Sequence, residues 1–451
     1  MTTTNIQERS LTTGAFLPRA ARVRTRKRGG GHPRGHGLVA SAALLALPVF
    51  LAVLACAEAE TDPVPPARVG TPAAPGSGQP FVAADEDGVW MSWTEPAASG
   101  HRVAVSHFDR LANQWSAPQT VAASDGFFVN WADFPSVQAV GDRLVAHWLQ
   151  RGGQGTYDYG VRLSWSEDRG STWSSPWTPH EDGTPTEHGF VSILETGGGV
   201  WAAWLDGRAM IEPGGPMAVR ARLLPLLGPR GDGGAGEETV VDARACECCQ
   251  TDAVVAGGVP VLVFRDRAEG EVRDIHVSRW MAAADGGEPA WTPSVPVHDD
   301  GWVIGGCPVN GPAMVAQGER VAVAWFTAPE GEARVNVAFS EDAAVSFGPP
   351  VRVDLGQPIG RVDVLMLDDG SAIVTWLERT SEGTVILGRR VAANGVAGDP
   401  RPLADSDAAR ASGFPRIARL GPDRLMLAWT DPVGGGQVRA AVFDLDGWGA
   451  P

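Results

Sequence analysis

A short apolar segment that ends in a charged turn recurs along most of this chain, and it constrains the fold more than any other feature. The clearest copy runs from Val200 to Leu205 and is followed at once by Asp206, Gly207 and Arg208. A large aromatic residue near the end of each copy recurs every 51 to 61 residues. The repeated positions are Trp93, Trp148, Trp204, Phe264, Trp325, Trp376 and Trp429. A period of this length, made of short strands, is typical of a radial array of repeats.

Four short strands are predicted in each repeat. We find no stretch of the body with apolar residues at helical spacing; instead, runs rich in Val, Ala, Trp and Leu are separated by Gly, Pro and Asp. We therefore predict an all-β protein, a β-propeller with four-stranded blades, and the seven repeats favour seven blades. Because the last repeat has little room for an outer strand, we expect the segment near 67–70 to supply that strand and close the ring.

The first 56 residues have the layout of a secretory signal, with a basic patch at 24–28, an apolar run at 38–55 and then Cys56. The last four of these residues resemble the lipobox of bacterial lipoproteins. This resemblance implies cleavage before Cys56, lipidation of its thiol and, because Ala57 is not Asp, residence in the outer membrane. An uncleaved membrane anchor is the alternative.

Two further segments follow the signal. Residues 57–78 are rich in Pro, Ala and Gly and are predicted to be a tether, and residues 79–451 are predicted to form the propeller. The full chain has a net charge of −16, and the first 56 residues hold eight basic residues and one acidic residue, so the rest carries −23. Such an acidic chain does not attract nucleic acid or anionic lipid, and we expect contact with the membrane through the N-terminal lipid only.

One turn between predicted strands matches the Asp-box pattern Ser-x-Asp-x-Gly-x-Thr-Trp at every fixed position. These positions are Ser166, Asp168, Gly170, Thr172 and Trp173. A second copy at 340–347 keeps Ser, Asp and an aromatic residue but has Ala344 in place of Gly. In these boxes the chain resembles the sialidase (neuraminidase) superfamily, whose propellers carry them on the face opposite the active site. Sialidases have six blades, so six blades is the alternative to the seven repeats counted here.

Residues that follow each repeated aromatic should surround one mouth of the central channel. The resemblance implies a Tyr–Glu nucleophile pair, an Asp acid/base and an Arg clamp for a substrate carboxylate at this mouth. The catalytic candidates are Tyr157, Tyr159, Glu187 and Asp206, and the substrate-binding candidates are Arg208, Arg265, Arg267, Arg379, Asp266 and Arg416. The Arg-Ile-Pro signature that carries the first Arg of the family is absent. The alternative is that these charged residues form ion pairs at the rim.

Four cysteines should lie near one another at the same mouth, since Cys246, Cys248 and Cys249 precede the fourth repeat and Cys307 precedes the fifth. In an exported protein we expect two disulfides, one of them from Cys248 or Cys249 to Cys307. The alternative is a soft-metal site in which thiolates bind Cu(I) or Zn.

The sequence therefore predicts an exported, lipid-anchored, monomeric propeller that recognises a glycan or another cell-envelope partner. Hydrolysis of the exo-α-sialidase type is the activity that the resemblance implies. The alternatives are a non-catalytic propeller that binds a glycan or a protein, and a protein that binds copper or zinc through its cysteines. Phe127, Phe128 and Trp131 precede the second repeat, and their rings either stack on a sugar or pack on the rim.

Overall fold

The computed structural model describes residues 67–224, 235–283 and 286–449. The predicted signal, Cys56 and residues 57–66 of the predicted tether lie outside these residues. Among the described residues, no helix is long and apolar enough to cross a membrane. The described chain forms seven antiparallel sheets, each built around one of the repeated aromatic residues. The prediction of a seven-bladed β-propeller is confirmed, and the six-bladed alternative is wrong.

Strands are numbered in chain order, beginning with β1 (Ala67–Val69), which belongs to the last blade. Blade one contains β2 (Gly78–Ala84), β3 (Gly88–Pro96), β4 (His101–Asp109), β5 (Gln114–Trp115) and β6 (Gln119–Ser124). Blade two contains β7 (Ser136–Val140), β8 (Arg143–Arg151) and β9 (Tyr159–Ser166). Blade three contains β10 (His188–Thr196), β11 (Gly199–Asp206), β12 (Met217–Leu224) and β13 (Thr239–Ala245). Blade four contains β14 (Asp252–Ala256), β15 (Val259–Arg265), β16 (Ile275–Met281), β17 (Ala290–Trp291) and β18 (Val295–Pro296).

Blade five contains β19 (Ala313–Gln317), β20 (Arg320–Thr327), β21 (Arg334–Ser340) and β22 (Val351–Arg352). Blade six contains β23 (Pro358–Met366), β24 (Ala372–Thr380), β25 (Gly383–Val391) and β26 (Arg401–Ser406), and blade seven contains β27 (Arg416–Arg419), β28 (Arg424–Asp431) and β29 (Gln437–Asp444). Short 3-10 turns lie at Arg208–Ile211, Glu269–Glu271, Pro329–Gly331, Arg410–Ser412, Val433–Gly435 and Leu445–Trp448. In blade two, the fourth strand predicted for each repeat is reduced to a bridge between Leu163 and Trp177.

The N-terminal strand closes the ring, as predicted. β1 pairs with β29 in an antiparallel register in which Arg68 faces Ala441. Two side chains reinforce the contact, because the Thr71 hydroxyl donates to the carbonyl of Val438 at 2.7 Å and the main-chain N–H of Val438 donates to Ser77 Oγ at 3.0 Å. Closure removes an unpaired edge of the last blade.

The repeated aromatic residues form the core between blades. Trp93, Trp204, Trp325 and Trp376 have no solvent-exposed surface. Clusters of buried side chains combine residues of neighbouring blades; one joins Ala203 of blade three to Phe264 of blade four. Burial of such large rings supplies much of the driving force for folding, since each removes roughly 150–250 Å² from water. The loops that join the strands lie at the two faces of the propeller.

Candidate functional site

The loops that precede the inner strands β2, β7, β10, β14, β19, β23 and β27 meet around the centre of one face. Buried aspartates there connect one blade to the next, because each accepts a hydrogen bond from a main-chain N–H of the following inner strand. The three pairs are Asp133 with Phe190 at 2.8 Å, Asp252 with Met314 at 2.8 Å and Asp363 with Ile417 at 2.8 Å. A small cavity of about 60 Å³ lies at this centre, and its walls include Asp133, Asp252 and Arg416.

Three residues of the inner strands have a strained backbone at the mouth, and each is hydrogen-bonded to the preceding blade. Gln79, Phe190 and Arg361 have φ values of 59°, 53° and 56°, which are rare for residues with a side chain. Their main-chain N–H groups donate to Thr430, Asp133 and Asn310, respectively, on the preceding blade. Strained residues persist where the surroundings fix them, and they are concentrated at functional sites.

Tyr159 lies beside this centre and joins two acidic residues. Its hydroxyl oxygen is 2.8 Å from Asp133 Oδ2 and 2.7 Å from Glu187 Oε1. A bridge between the main chains of Tyr159 and Glu187 sets this geometry, and the Tyr159 ring stacks on Phe128 with ring centres 3.9 Å apart. Tyr159 is 2% exposed. The structure therefore brings together two of the predicted catalytic residues and adds Asp133, which precedes the second inner strand.

The two contacts of the Tyr159 hydroxyl require a proton that Asp133 and Glu187 share. A neutral phenol has one O–H, so it donates to one carboxylate, and the second short contact requires a proton on Asp133 or Glu187. Burial raises the pKa of both acids to about 7, because it disfavours the charged forms and outweighs the hydrogen bonds that they accept. Burial and the two neighbouring acids also raise the pKa of Tyr159. The arrangement can therefore accept or release a proton close to neutral pH.

A cleft of about 370 Å³ opens next to this group, between blade two and the segment that leads to blade three. Its wall includes Tyr159 and otherwise consists mainly of polar residues. These include Gln150, Asp158, Arg162, Thr178, His180, Thr184 and Thr186. The other predicted tyrosine, Tyr157, is 58% exposed in the preceding loop. Of the aromatic residues that precede the second repeat, Phe127 and Phe128 are both buried against the blade, whereas Trp131 is half-buried.

Asp206 and Arg208 lie next to Glu187 and His188, and their side chains are engaged with the framework. Asp206 is completely buried, accepts the Trp204 indole N–H at 2.7 Å and binds the Arg208 Nε at 2.6 Å. Arg208 also donates to Glu238 at 2.7 Å. These contacts match the ion-pair alternative considered for the rim.

The remaining predicted substrate-binding residues are distributed over blades four, six and seven. Arg265 is 1% exposed, and its three nitrogens donate to the carbonyls of Asn310, Arg273 and Phe326. Arg267 pairs with Glu247 and Glu271. Asp266 is buried beside His276, and burial raises its pKa. Arg379 is exposed on blade six. Arg416 lies over the Phe81 ring at 4.9 Å and 3.3 Å from Asp363, where it borders the central cavity.

Sequence reasoning missed a group of potential metal ligands beside the cleft, since these residues are neither adjacent nor regularly spaced. One ligand atom each of His180, Asp182 and His188 lies within 4.8 Å of the others. The His180 ring accepts the N–H of Val161 through Nε2 at 3.1 Å, so a neutral ring carries its proton on Nδ1, the nitrogen that faces Asp182. Arg208 also lies 3.4 Å from Asp182. These partners favour a network of ion pairs and hydrogen bonds.

The cysteines form one of the two expected disulfides. Cys248 and Cys307 are bonded, with Cα atoms 6.0 Å apart, and Cys246 and Cys249 are buried free thiols. In this state two sulfurs remain free, fewer than the three or four protein ligands of a typical zinc site.

Known proteins resemble this chain in fold and not in sequence. No protein-family model matches it, and no curated protein matches its sequence. Among solved structures, the BP39L lectin from Burkholderia pseudomallei aligns with a TM-score of 0.56 and 13% identity over 84% of this chain and 99% of the lectin. The polysaccharide lyase Uly1 aligns with a TM-score of 0.50 and 11% identity over 82% of this chain and 90% of the lyase.

A sialidase from Trypanosoma rangeli in complex with the inhibitor DANA also aligns, with 10% identity over 72% of this chain and 56% of the sialidase. The TM-score of this alignment is 0.43, which is too low to support an inference. At these identities the similarity is one of fold. The chain is thus a β-propeller that shares its architecture with a lectin and a polysaccharide lyase.

Proposed function

We propose that this protein is a glycan-recognition propeller whose ligand lies in the cleft between blade two and the segment that leads to blade three, with Glu187, Tyr159 and Asp133 as its acid–base group. One observation carries the proposal, namely that Tyr159, which lines a polar cleft, has its buried hydroxyl held between the carboxyl groups of Asp133 and Glu187. The lectin and the polysaccharide lyase that share the fold support a carbohydrate ligand.

Glu187 is the member best suited to proton transfer with a ligand. It is half-buried, whereas Tyr159 and Asp133 are 2% exposed. Its pKa of about 7 lets it act as an acid or a base at neutral pH. Tyr159 connects Glu187 to Asp133 through two short hydrogen bonds. A proton that Glu187 loses is therefore replaced along this chain. Cleavage of a glycosidic bond, as the resemblance to sialidases implies, needs such a group.

The proposed location of the protein in the cell rests on its sequence. The signal and the lipobox at Cys56 favour export and a lipid anchor in the outer membrane, where polysaccharides are accessible. Labelling of growing cells with an alkyne fatty acid should mark the full chain and not a Cys56→Ser variant. A labelled Cys56→Ser chain would contradict the lipid anchor.

The test of activity uses the full chain with a glycan array and a fluorogenic sialoside. Hydrolysis that Glu187→Gln lowers by roughly 10²–10⁴-fold would support an acid–base role. The matched control is Glu195→Gln, since Glu195 lies near the far end of β10, the strand that follows Glu187, and does not line the cleft. Glycan binding without turnover, lost in Tyr159→Phe, would support a lectin. No binding and no turnover with any glycan would contradict the proposal.

A further inference from the structure

Four cysteines meet on the loops before the inner strands of blades four and five, outside the cleft described above. Cys246, Cys248 and Cys249 lie between β13 and β14, and Cys307 lies before β19. The disulfide between Cys248 and Cys307 joins the two loops. The cluster therefore combines an oxidised pair with two reduced thiols in one small volume.

The four sulfurs differ in their access to solvent. Cys307 is exposed and Cys248 is half-buried, whereas Cys246 and Cys249 are each 1% exposed. The Sγ atom of Cys246 lies 4.0 Å from the Sγ atom of Cys248. A buried thiol is thus close to one sulfur of a disulfide whose other sulfur faces the solvent. Thiol–disulfide exchange requires this contact between an attacking sulfur and a disulfide sulfur.

The surroundings of Cys246 favour its reactive form. Arg273 is buried and donates through Nη1 to the Cys246 sulfur at 3.4 Å. Burial by itself would raise the pKa of Cys246, but the Cys249 thiol, the N–H of Cys248 and the charges of Arg265 and Arg273 together hold it below its usual range. The thiolate is the nucleophile in exchange reactions. Burial and the neighbouring Cys246 raise the pKa of Cys249, which therefore stays a thiol.

We propose that Cys246, Cys248 and Cys307 form a thiol–disulfide exchange site in which Cys246 attacks the Cys248–Cys307 bridge and releases Cys307 as a solvent-facing nucleophile. A bond forms between the sulfurs of Cys246 and Cys248, and the bond between Cys248 and Cys307 breaks. The electron pair leaves on Cys307, which takes up a proton in place of the one lost by Cys246. This step changes no oxidation state, so it needs no added oxidant or reductant.

The released Cys307 then exchanges with a disulfide substrate. Its thiolate forms a mixed disulfide with one half of the substrate and releases the other half as a thiol. A second thiol attacks the mixed disulfide, takes the bound half and restores Cys307. In the net reaction, the second thiol replaces one half of the substrate disulfide, and that half leaves as a thiol. Atoms and electrons are conserved. This proposal is independent of the glycan function.

The experiment uses the full chain purified without reductant. The folded protein is treated with a maleimide on a polyethylene glycol chain, which reaches exposed thiols, and the labelled and bridged cysteines are located by peptide mapping. We expect slow labelling of Cys307 together with a Cys246–Cys248 bridge. Cys246→Ser should abolish the label, whereas Cys249→Ser, which removes the neighbouring thiol but keeps a hydrogen-bond donor beside Cys246, should still allow it. With oxidised glutathione, the mixed disulfide should form at Cys307 under the same conditions.

Three results would overturn the proposal. An unlabelled Cys307 in every variant means that the bridge is a static crosslink. Equal labelling in the parent and in Cys246→Ser means that part of the protein is simply reduced. Stoichiometric copper or zinc in the purified chain, without labelling, means that the sulfurs bind metal. Denaturant unfolding of Cys246→Ser and Cys246→Ala checks that the variants are folded, and either folded variant suffices for the comparison.

Discussion

The acidic residue two positions after a repeated tryptophan is held by the indole of that tryptophan in three blades. Glu95 accepts the N–H of Trp93 at 2.6 Å, Asp206 accepts that of Trp204 at 2.7 Å, and Glu378 accepts that of Trp376 at 2.6 Å. A buried indole N–H needs an acceptor, so the acid belongs to the framework of the blade. In the sequence, an acidic residue at the end of a strand and beside an arginine looks the same whether it is structural or catalytic. The burial of its side chain distinguishes a structural acid from a catalytic one.

The shared proton of Glu187 and Asp133 should make stability depend on pH. Their pKa values of about 7 in the folded protein exceed the values near 4 of the unfolded chain, so the folded state binds more protons between these limits. The free energy of unfolding contributed by these groups should therefore fall as the pH rises from about 4 to about 7, and stay level above. Urea unfolding at several pH values measures this. Glu187→Gln should reduce the slope and Glu195→Gln should leave it unchanged; identical slopes would contradict the shared proton.

The buried Arg265 should be essential for stability. Lysine has one nitrogen, so Arg265→Lys leaves two of three carbonyls without their donor. Each unsatisfied buried group costs about 1–3 kcal/mol, and we expect a loss of about 3 kcal/mol in the free energy of unfolding. The exposed Arg379→Lys is the matched control and should change it by less than about 0.5 kcal/mol. Equal effects of the two variants would show that the Arg265 contacts are not required.

Two turns of similar sequence have the same hydrogen bonds. In both, a buried serine accepts a main-chain N–H four residues later: Gly170 donates to Ser166 at 2.7 Å, and Ala344 donates to Ser340 at 2.9 Å. Asp168 and Asp342 each bind this serine and close the turn. Ala344 adopts a φ of 62°, close to the 85° of Gly170, so the turn keeps its conformation without the glycine.

The serine of each turn should stabilise its hairpin. Ser166→Ala and Ser340→Ala each leave a buried N–H without an acceptor, and we expect each to lower the free energy of unfolding by about 1–3 kcal/mol. Ser175→Ala changes an exposed serine nearby and should have little effect. Denaturant unfolding of the three variants compares them. If only one of the two variants has a lower free energy of unfolding, the same hydrogen bonds do not stabilise both turns.

The whole ring depends on the contact between its two ends. A chain that lacks residues 67–70 loses β1 and exposes the edge of β29. We expect a lower midpoint of thermal unfolding and a tendency to aggregate, because an unpaired strand edge can pair with another chain. Light scattering and calorimetry measure these changes. A chain that lacks residues 61–66 is the control, and equal behaviour of the two chains would contradict closure by β1.

Several features followed from the sequence alone because they are local and repeated. A hairpin with a large aromatic residue forms in the same way each time, and seven copies have one way to bury their apolar faces, which is against each other. The strand near 67–70 could be assigned because the last repeat lacked one. The closeness of Cys307 to the other cysteines also followed, since adjacent blades place equivalent loops side by side.

The tertiary structure decided which polar residues meet. Asp133 and Glu187 come from two loops and Tyr159 from the start of β9, and they form one group because the blades are packed in a ring; no spacing in the sequence encodes their distances. The same is true of Cys248, which reaches Cys307 while Cys249 does not, and of Asp206 and Arg265, whose partners remove them from solvent. Sequence patterns report periodicity and composition, whereas the burial and pairing of a charge depend on residues far away in the chain.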